Sequence, residues 1–148
     1  MSYELRAVAT PNEWAALHDI RRATLFTPER GVVYDEHHPH DLNPANQCFL
    51  LICEQEPIGV VRLDPRGDGA MVVRLLAIVP QRQGEGHGRV LGQLVEQEAR
   101  RRGAHRLMLN SRDTAVGFYE RTGWTAEIWD AAELEGIASH CVQMTKAI

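Results

Sequence analysis

A glycine-rich turn near the middle of the chain is the first feature with chemical potential. Residues 83–89 read Gln-Gly-Glu-Gly-His-Gly-Arg and stand directly before a stretch with helical apolar spacing. Glycines allow positive φ and close approach of the backbone to a ligand, and the free N–H groups at a helix start attract anions. Arg82 and Arg89 add positive charge beside the turn. The pattern predicts a phosphate site formed by Gln83, Gly84, Glu85, Gly86, His87, Gly88 and Arg89.

The spacing of these glycines does not fit two common nucleotide-binding loops. A P-loop needs Gly-Lys-Ser/Thr, whereas Gly88 is followed by Arg89 and Val90. A dinucleotide fingerprint needs a third glycine three residues after the second, and that position holds Arg89 or Leu91, depending on the pair of glycines chosen. A turn that merely reverses the chain is the alternative to a phosphate site.

A second group of residues, 110–124, contains a phenol that could act in catalysis. Asp113 can cap a short helix that runs to Arg121 and carries Phe118 and Tyr119, and Gly123 ends it. A positioned tyrosine hydroxyl can donate a proton to a reacting group. Tyr119 could equally be a core aromatic with its hydroxyl at the surface, and the residues alone leave both interpretations open.

Hydrophobic periodicity places these two groups between regular elements. Apolar or alternating segments predict strands over residues 3–8, 48–53, 58–63, 70–79, 105–110, 124–129 and 139–145. A helix is predicted from Thr10, an N-cap followed by Pro11 and Glu13, and another from Gly86 to Arg102. Tight turns at residues 54–57 and 64–69 join three strands into an antiparallel meander. The order of elements predicts an α+β fold with a mixed sheet.

The two groups resemble, in order and spacing, the signatures of the GNAT superfamily of N-acetyltransferases. The first lies in Ile78, Gln83, Gly86 and Gly88, and the second in Ala115, Phe118, Tyr119, Gly123 and Trp124. The resemblance extends over nearly the whole chain, including the early helix and the meander. The Phe-Tyr pair, with Gly136, Ile137, His140 and Met144 further on, is similar more distantly to ElaA-like bacterial members.

The resemblance implies one acetyltransferase domain over residues 1–148, with a mostly antiparallel six- to seven-stranded sheet, flanking helices and a splayed central strand pair. It implies acetyl-CoA as co-substrate, with the pyrophosphate on the glycine-rich turn. The thioester end would contact Ala77, Ile78, Val79, Ser111 and Tyr119.

The resemblance also implies a mechanism. A backbone N–H near Ile78 would polarise the thioester carbonyl, and Tyr119 would protonate the leaving thiolate. The implied reaction is direct attack on the thioester by a primary amine of a small molecule or a peptide. A non-catalytic acyl-CoA binding or sensing module is the alternative.

Two departures from the family pattern affect this mechanism. Arg112 stands where many members have asparagine, so Asn110 or Ser111 replaces that contact or the contact is absent. The strand over residues 70–76 has no acid where many members place a catalytic glutamate. The candidate bases are therefore His140, Glu133, Glu135, Asp41 and His38. We favour His140, since imidazole has an ordinary pKa of about 6.5, although a structural histidine on the last strand is the alternative.

The polar segment over residues 34–41 is expected to border the acceptor site, together with the C-terminal strand that bears His140. Acids on both sides predict an acidic lining that attracts a cationic amine. The histidines and carboxylates of residues 35–41 also suggest a metal site, but no second ligand pair at diagnostic spacing accompanies them, and we predict no metal.

Composition narrows the remaining function classes. The formal net charge is −4 and the pI about 6.0, which disfavours nucleic acid as a partner. No apolar run approaches membrane-spanning length, so no membrane partner is expected. The odd set of cysteines, without a Cys-x-x-Cys pair, and the N-terminus, without a signal-peptide core, predict a cytoplasmic protein. The one protein partner that we include among the expectations is a second copy of the chain, which would form a homodimer.

Overall fold

Seven strands form one sheet in the computed structural model, which describes residues 1–148. The strands are β1 Tyr3–Ala7, β2 Gln47–Cys53, β3 Glu56–Gly67, β4 Ala70–Ile78, β5 Arg106–Ser111, β6 Thr125–Ala126 and β7 Val142–Ala147. Their spatial order is β1-β2-β3-β4-β5-β7-β6, and all neighbours are antiparallel except β4 and β5. The predicted mixed, mostly antiparallel α+β sheet is confirmed.

Helices lie on both faces of this sheet. The α-helices are α1 Pro11–Thr24, α2 Pro39–Leu42, α3 His87–Arg101 and α4 Val116–Arg121. Single 3₁₀ turns span Pro28–Arg30, Pro80–Arg82, Asp113–Ala115, Ala131–Glu133 and Gly136–Ala138. No helix of the chain combines the length and the apolar character needed to cross a membrane.

The first helix starts where the sequence predicts it. Thr10 is the N-cap of α1: its hydroxyl accepts the Glu13 N–H at 3.2 Å, and the Glu13 carboxylate accepts the Thr10 N–H at 2.9 Å. Pro11 occupies the first helical position, where no N–H is needed. These contacts satisfy backbone donors that a helix end leaves free. The helix then lays Leu17 and Ile20 on the sheet.

The sheet carries a separate apolar core on each face. On one face α1 covers Leu50, Ile52 and Val60. On the other face α3 packs through Leu91 and Val95. The strand residues beneath α3 are Phe49, Leu51, Val61, Leu63, Val73, Leu107, Leu109 and Met144. Successive strand residues point to opposite faces, so the central strands supply both cores and are apolar throughout.

The two central parallel strands separate after a few residues. β4 pairs with β5 only where Ala70–Val72 face Arg106–Met108. Further along β4, Leu75 has a φ of +51°, and the register with β3 shifts between Val60 and Arg62. An extra residue in one strand of a pair bends that strand and increases its twist. The bulge accompanies the divergence of β4 from β5, and the predicted splayed pair is confirmed.

The meander is longer than predicted. β3 continues to Gly67, whereas the sequence suggested a turn from Asp64 onwards. β2 begins at Gln47, which lies opposite Leu63, so the part of β3 after Leu63 has a neighbouring strand on one side only. A proline without an N–H is accepted at such an edge, and Pro65 therefore stays in the strand.

The predicted C-terminal strands are shorter than expected. β6 keeps only Thr125–Ala126, because the chain then leaves the sheet and folds back over β4 and β5. β7 begins at Val142, so His140 lies in the turn before the strand and not on the strand itself. The prediction of His140 as a strand residue is wrong in this respect.

Candidate active site

The glycine-rich turn joins the end of β4 to the start of α3. Gly84 has a φ of +77°, and Gly86, the N-cap of α3, has a φ of +89°. A side chain strains the backbone at such angles, so both positions favour glycine. A methyl group on either residue would meet no atom within 4 Å, so the space in front of the turn is open. A ligand can therefore reach the backbone here.

Six consecutive backbone N–H groups of this turn have no acceptor within the protein. They belong to Gly84, Glu85, Gly86, His87, Gly88 and Arg89. The next N–H, that of Val90, makes the first helical hydrogen bond, to the Gly86 carbonyl at 3.3 Å. Free N–H groups at a helix N-terminus, together with the positive end of the helix dipole, form an anion site. These donors suit a pyrophosphate.

The side chain of Gln83 fixes the end of β4. Its amide donates to the Ile78 carbonyl at 2.9 Å, while the Val79 N–H donates to the Ile58 carbonyl at 2.8 Å. Backbone groups alternate sides along a strand, so the Ile78 N–H points away from β3, towards the gap beside β5. Ala77 and Ile78 are both buried. The arrangement fits an amide that could polarise a carbonyl lying in the gap.

The side chain of His87 points into the protein and not into the open space before the turn. It is buried, with Nδ1 2.9 Å from the Tyr3 hydroxyl and Nε2 2.9 Å from the Glu85 carboxylate. Arg82 also donates to Glu85, at 3.0 Å. These contacts tie the start of α3 to β1. His87 and Glu85 therefore hold the turn in shape, and each offers a ligand its backbone N–H.

A cavity of about 280 Å³ lies between α3, α4 and the separated ends of β4 and β5. Gly88 and Arg89 line it on the side of the turn, and Tyr119 lines it on the side of α4. Its apolar lining includes Val73 and Leu76 of β4 and Leu107 and Leu109 of β5. The cavity thus brings together residues from both groups that the sequence singled out.

Tyr119 is half-buried in the wall of this cavity. Its ring lies edge-on to Phe118 and Trp124, at centroid distances of 5.3 and 5.7 Å. Burial raises the pKa of Tyr119 to about 12, although the nearby Arg112 guanidinium acts in the opposite direction. The phenol therefore keeps its proton throughout the neutral range and is available as a donor.

The polar side chains at the end of β5 are engaged within the protein. Ser111 is buried, and its hydroxyl donates to the Arg112 carbonyl at 2.8 Å. The Asn110 amide donates to Glu133 at 3.1 Å and accepts from Gln143 at 3.0 Å. Neither side chain is free to replace the asparagine contact found in many relatives. Ser111 would contact a ligand through its backbone.

Asp41, one of the candidate bases, is held in a buried ion cluster. Arg21 donates to its carboxylate at 2.7 Å, and Arg62 donates to it at 3.0 Å. Burial opposes ionisation of this carboxyl, but the two arginines outweigh it and hold the pKa of Asp41 below its ordinary value. A carboxylate with both oxygens occupied by guanidinium groups is a weak base.

Glu133, another candidate, reaches over β4 from the segment that leaves the sheet after β6. Arg74 donates to its carboxylate at 2.6 and 3.0 Å, and this contact lowers the pKa of Glu133 despite partial burial. In the same segment the Trp129 indole N–H donates to the Leu109 carbonyl at 3.0 Å. The Arg66 guanidinium stacks on that indole, 5.0 Å from its centroid. The segment closes this part of the sheet.

The remaining candidates differ in how free their side chains are. His38 is the N-cap of α2, and its Nδ1 accepts the His40 N–H at 3.1 Å. Glu135 and His140 are exposed. Val142, two positions after His140, pairs with Ser111, the last residue of β5. His140 therefore lies near that end of β5. No three His, Cys, Asp or Glu side chains are grouped so that they could hold a metal ion.

The sequence did not predict the roles of Trp129 and Arg74. The pattern of residues 124–129 predicts a strand that includes Trp129. Nothing in that pattern indicates that the Trp129 indole closes over β5. For the strand over residues 70–76 the sequence indicates only that an acid is lacking, and it predicts no role for Arg74. Its contact with Glu133 joins residues 59 positions apart, and no local signal could have found it.

Comparison with known proteins agrees with this geometry. A sequence model of the acetyltransferase (GNAT) domain matches residues 19–147. A search of curated proteins gave no match. A solved structure from Lactobacillus plantarum, assigned as an N-acetyltransferase, has 26% identity and a TM-score of 0.82 and covers 99% of each chain.

Two further solved structures share the fold at lower identity. ElaA of Escherichia coli has 17% identity and a TM-score of 0.77, covering 98% of each chain. An aminoglycoside 6′-N-acetyltransferase, solved with coenzyme A, has 17% identity and a TM-score of 0.77, covering 99% of this chain and 97% of its own. Since the family match covers most of the chain, and the turn and cavity fit the cofactor of that family, the protein belongs to the GNAT acetyltransferases and is an enzyme that uses acetyl-CoA.

Proposed function

We propose that this enzyme transfers the acetyl group of acetyl-CoA to a primary amine by direct attack of the amine on the thioester. The observation that carries the proposal is the position of the free N–H groups of residues 84–89 at the mouth of the cavity that holds Tyr119. The turn suits the pyrophosphate of the cofactor, and the apolar lining suits its pantetheine arm. The phenol then stands in the same cavity as the arm.

The protein contributes charge stabilisation and proton movement. Acetyl-CoA supplies an activated acyl group when it is bound. The Ile78 N–H is directed to stabilise the negative charge that develops on the carbonyl oxygen as the carbon–nitrogen bond forms. The Tyr119 hydroxyl gives its proton to the sulfur as the carbon–sulfur bond breaks. Holding both reactants in one site adds the advantage of proximity.

We propose His140 as the group that accepts the proton of the attacking ammonium. Asp41 and Glu133 are neutralised by arginines, and His38 already accepts a hydrogen bond from its own helix start. His140 is exposed, forms no side-chain hydrogen bond within the protein, and lies beside the end of β5. A water molecule can relay the proton if the imidazole does not touch the amine.

A non-catalytic acyl-CoA binding module is the second candidate function. The observation in its favour is the absence of a free acid on β4, where Arg74 occupies Glu133. Such a module would need the glycine-rich turn and the cavity but neither a proton donor nor a base. Tyr119, protonated and without a partner in the cavity, favours the enzyme.

Release of free thiol from acetyl-CoA in the presence of amines separates these two functions. The panel of amines contains amino acids, peptides, spermidine and an aminoglycoside. The aminoglycoside is included because one of the structural relatives is an aminoglycoside 6′-N-acetyltransferase. An acetyltransferase releases thiol in proportion to amine and yields the acetylated amine by mass spectrometry. Tight binding of acetyl-CoA without any amine-dependent release would establish the binding module instead.

We further propose that residues 1–148 act as one acetyltransferase domain and that the protein works in the cytoplasm. The three cysteines are free thiols, as a reducing compartment requires. Sedimentation of the purified protein, with and without acetyl-CoA, tests for a homodimer.

A further inference from the structure

The gap between β4 and β5 opens directly after the last backbone pair, in which Val72 faces Met108. Continued in the same register, the strands would next bring Arg74 opposite Asn110 on the face of the sheet that these two pairs share. Successive strand residues point to opposite faces. The residues just before Arg74 and Asn110 line the cavity on the α3 face, so Arg74 and Asn110 lie on the face that α1 covers.

The carboxylate of Glu133 lies between these two side chains. Its Oε1 accepts from the Arg74 guanidinium at 2.6 Å and from the Asn110 amide at 3.1 Å. Its Oε2 accepts from Arg74 at 3.0 Å and from Arg66 at 2.9 Å. Only 22% of the Glu133 side chain is exposed, so water competes weakly for these charge-assisted contacts. A single carboxylate oxygen therefore joins β4 to β5 just beyond their last backbone pair.

This contact completes a row of polar side chains across four neighbouring strands. Arg62 of β3 lies opposite Arg74, and Gln143 of β7 lies opposite Asn110. The Gln143 amide donates to the Asn110 carbonyl oxygen at 3.0 Å. Backbone hydrogen bonds hold β3 to β4 and β5 to β7 at this row, but none joins β4 to β5 there. Glu133 supplies the link that the backbone lacks.

The segment that carries Glu133 is anchored independently of that carboxylate. Gln143 is buried, and its carbonyl oxygen accepts the N–H groups of Trp129 at 2.8 Å and of Asp130 at 2.9 Å. Its amide donates to the Asp130 carbonyl at 2.7 Å, and the Trp129 indole donates to the Leu109 carbonyl. None of these contacts uses the Glu133 side chain. A substitution of Glu133 therefore removes the link between the strands and leaves the segment in place.

We propose that Glu133 is a positioning residue for acetyl transfer: its carboxylate fixes the separation of β4 and β5 and so holds the Ile78 N–H against the thioester carbonyl. The proposal rests on the proposed function, in which that N–H polarises the carbonyl. Arg74 stands shortly before Ile78 on β4, and Asn110 directly precedes Ser111 at the end of β5. Misplacement of a reacting group by about 1 Å can slow a reaction about a hundredfold.

Infrared spectroscopy of bound acetyl-CoA tests this proposal without an acceptor. A hydrogen bond to a carbonyl oxygen lowers the stretching frequency of the carbonyl, so the bound thioester should absorb below free acetyl-CoA. In Glu133→Gln, which keeps the size of the side chain and removes its charge, the frequency should return towards the free value. A frequency in Glu133→Gln equal to that of the wild type, or a wild-type frequency equal to that of free acetyl-CoA, would overturn the proposal.

Asp130→Asn is the matched control for this measurement. Asp130 lies in the same segment, and its carboxylate pairs with Arg66 of β3 but with no residue of β4 or β5. The variant loses an ion pair to the same arginine that Glu133 contacts, so it should keep the wild-type carbonyl frequency. Thermal unfolding shows the temperature range in which each variant is folded, and the variants are compared within it.

Kinetic constants give a second readout. Glu133→Gln should lower kcat about tenfold or more and change the Kd of acetyl-CoA by less than about twofold, because residues 84–89 are untouched. Arg74→Gln removes the other side of the contact and should have the same effect. The double variant should be no slower than either single variant, since both substitutions break one contact. Losses that multiply in the double variant, or an equal loss in Asp130→Asn, would overturn the proposal.

The two readouts keep this proposal distinguishable from the proposed function. A lowered carbonyl frequency that is lost in Glu133→Gln, without thiol release for any amine, would refute acetyl transfer and leave the positioning of the thioester standing. A fall in kcat with an unaltered carbonyl frequency would support acetyl transfer and refute the positioning role of Glu133.

Discussion

At the scale of single residues, the protonation of Tyr119 is the property that matters most. The ring is packed between Phe118 and Trp124, and burial raises the pKa of Tyr119 to about 12. A raised pKa keeps the acid form populated at every pH below it. The phenol is thus a proton donor over the whole neutral and mildly alkaline range, and no loss of activity below about pH 10 should be traced to its ionisation.

Replacement of this phenol tests its role directly. Tyr119→Phe keeps the ring and its packing and removes only the hydroxyl group, and with it the proton. We expect kcat to fall about a hundredfold or more, as is typical when a general acid is lost, with the Kd of acetyl-CoA unchanged. Phe118→Leu, a neighbour without a hydroxyl, serves as a packing control. Full activity of the Tyr119→Phe enzyme would remove the phenol from the mechanism.

The second residue-scale prediction concerns His140. An imidazole that accepts the proton of the amine must be neutral, so kcat/KM should fall as the solution is made more acidic. In His140→Ala this limb should vanish and the rate at the optimum should drop. The exposed His105, which precedes β5 at the end opposite Ser111, provides a control variant. An unaltered pH profile in His140→Ala would show that a different group, or a water relay, takes the proton.

At the scale of elements, the start of α3 joins local conformation to binding. Gly86 adopts a φ of +89° at the N-cap, and Gly103 adopts a φ of +87° just after the same helix. A methyl group at either glycine would meet no atom within 4 Å. The two positions therefore carry the same backbone strain when substituted, but only Gly86 faces the predicted pyrophosphate.

This symmetry makes a controlled experiment possible. Gly86→Val and Gly103→Val should each lose about 1–2 kcal/mol of stability, because a side chain is unfavourable in the left-handed region. Only Gly86→Val should also lose affinity for acetyl-CoA in calorimetry. Equal acetyl-CoA affinities in the two variants would contradict the assignment of the turn to the pyrophosphate.

At the scale of the whole molecule, buried charges connect the elements on the α1 face of the sheet. Asp41 of α2 accepts from Arg21 of α1 and from Arg62 of β3. Arg62 also donates to Asp64 at 2.8 Å. Arg74 of β4 contacts Asp64 at 3.5 Å and Glu133 at 2.6 Å, so the series of ion pairs extends to Glu133. Buried charges are tolerated only when they are paired, so each element depends on the position of the others.

Removal of the central carboxylate should therefore destabilise the fold. Asp41→Asn leaves the buried Arg21 without its anion and Arg62 with Asp64 as its remaining partner, and we expect a loss of about 3–5 kcal/mol in unfolding free energy at pH 7. The pKa of Asp41 is lowered in the folded state, so its contribution is present above its unfolded pKa and is lost as the pH falls through the folded value. The gap between wild type and variant should close in acid.

Denaturant titrations between pH 7 and pH 3 measure this gap. The exposed pair of Glu4 with Arg6 supplies a contrast, and Glu4→Gln should change the midpoint very little. A gap for Asp41→Asn that stays constant down to pH 3 would mean that packing, and not charge, makes Asp41 important.

The sequence alone determined much of what is local. The capping of α1 by Thr10, the buried segment 48–53 and the glycines before α3 are all set by neighbours within a few residues, and spacing reveals them. The same holds for the short helix with Phe118 and Tyr119. Two such local groups, in the right order, were enough to identify the fold and the cofactor.

Only the tertiary structure decided which charges remain free. The acids near the expected acceptor site looked like an acidic lining in the sequence, but Asp41 and Glu133 are neutralised by arginines more than ten positions away in the chain. The folded chain also joins Arg62 to Asp41 and Arg66 to Asp130, pairs that lie 21 and 64 positions apart. Ion pairing depends on distances in space, which spacing along the sequence does not contain, so only the folded chain shows which of the predicted acids are neutralised.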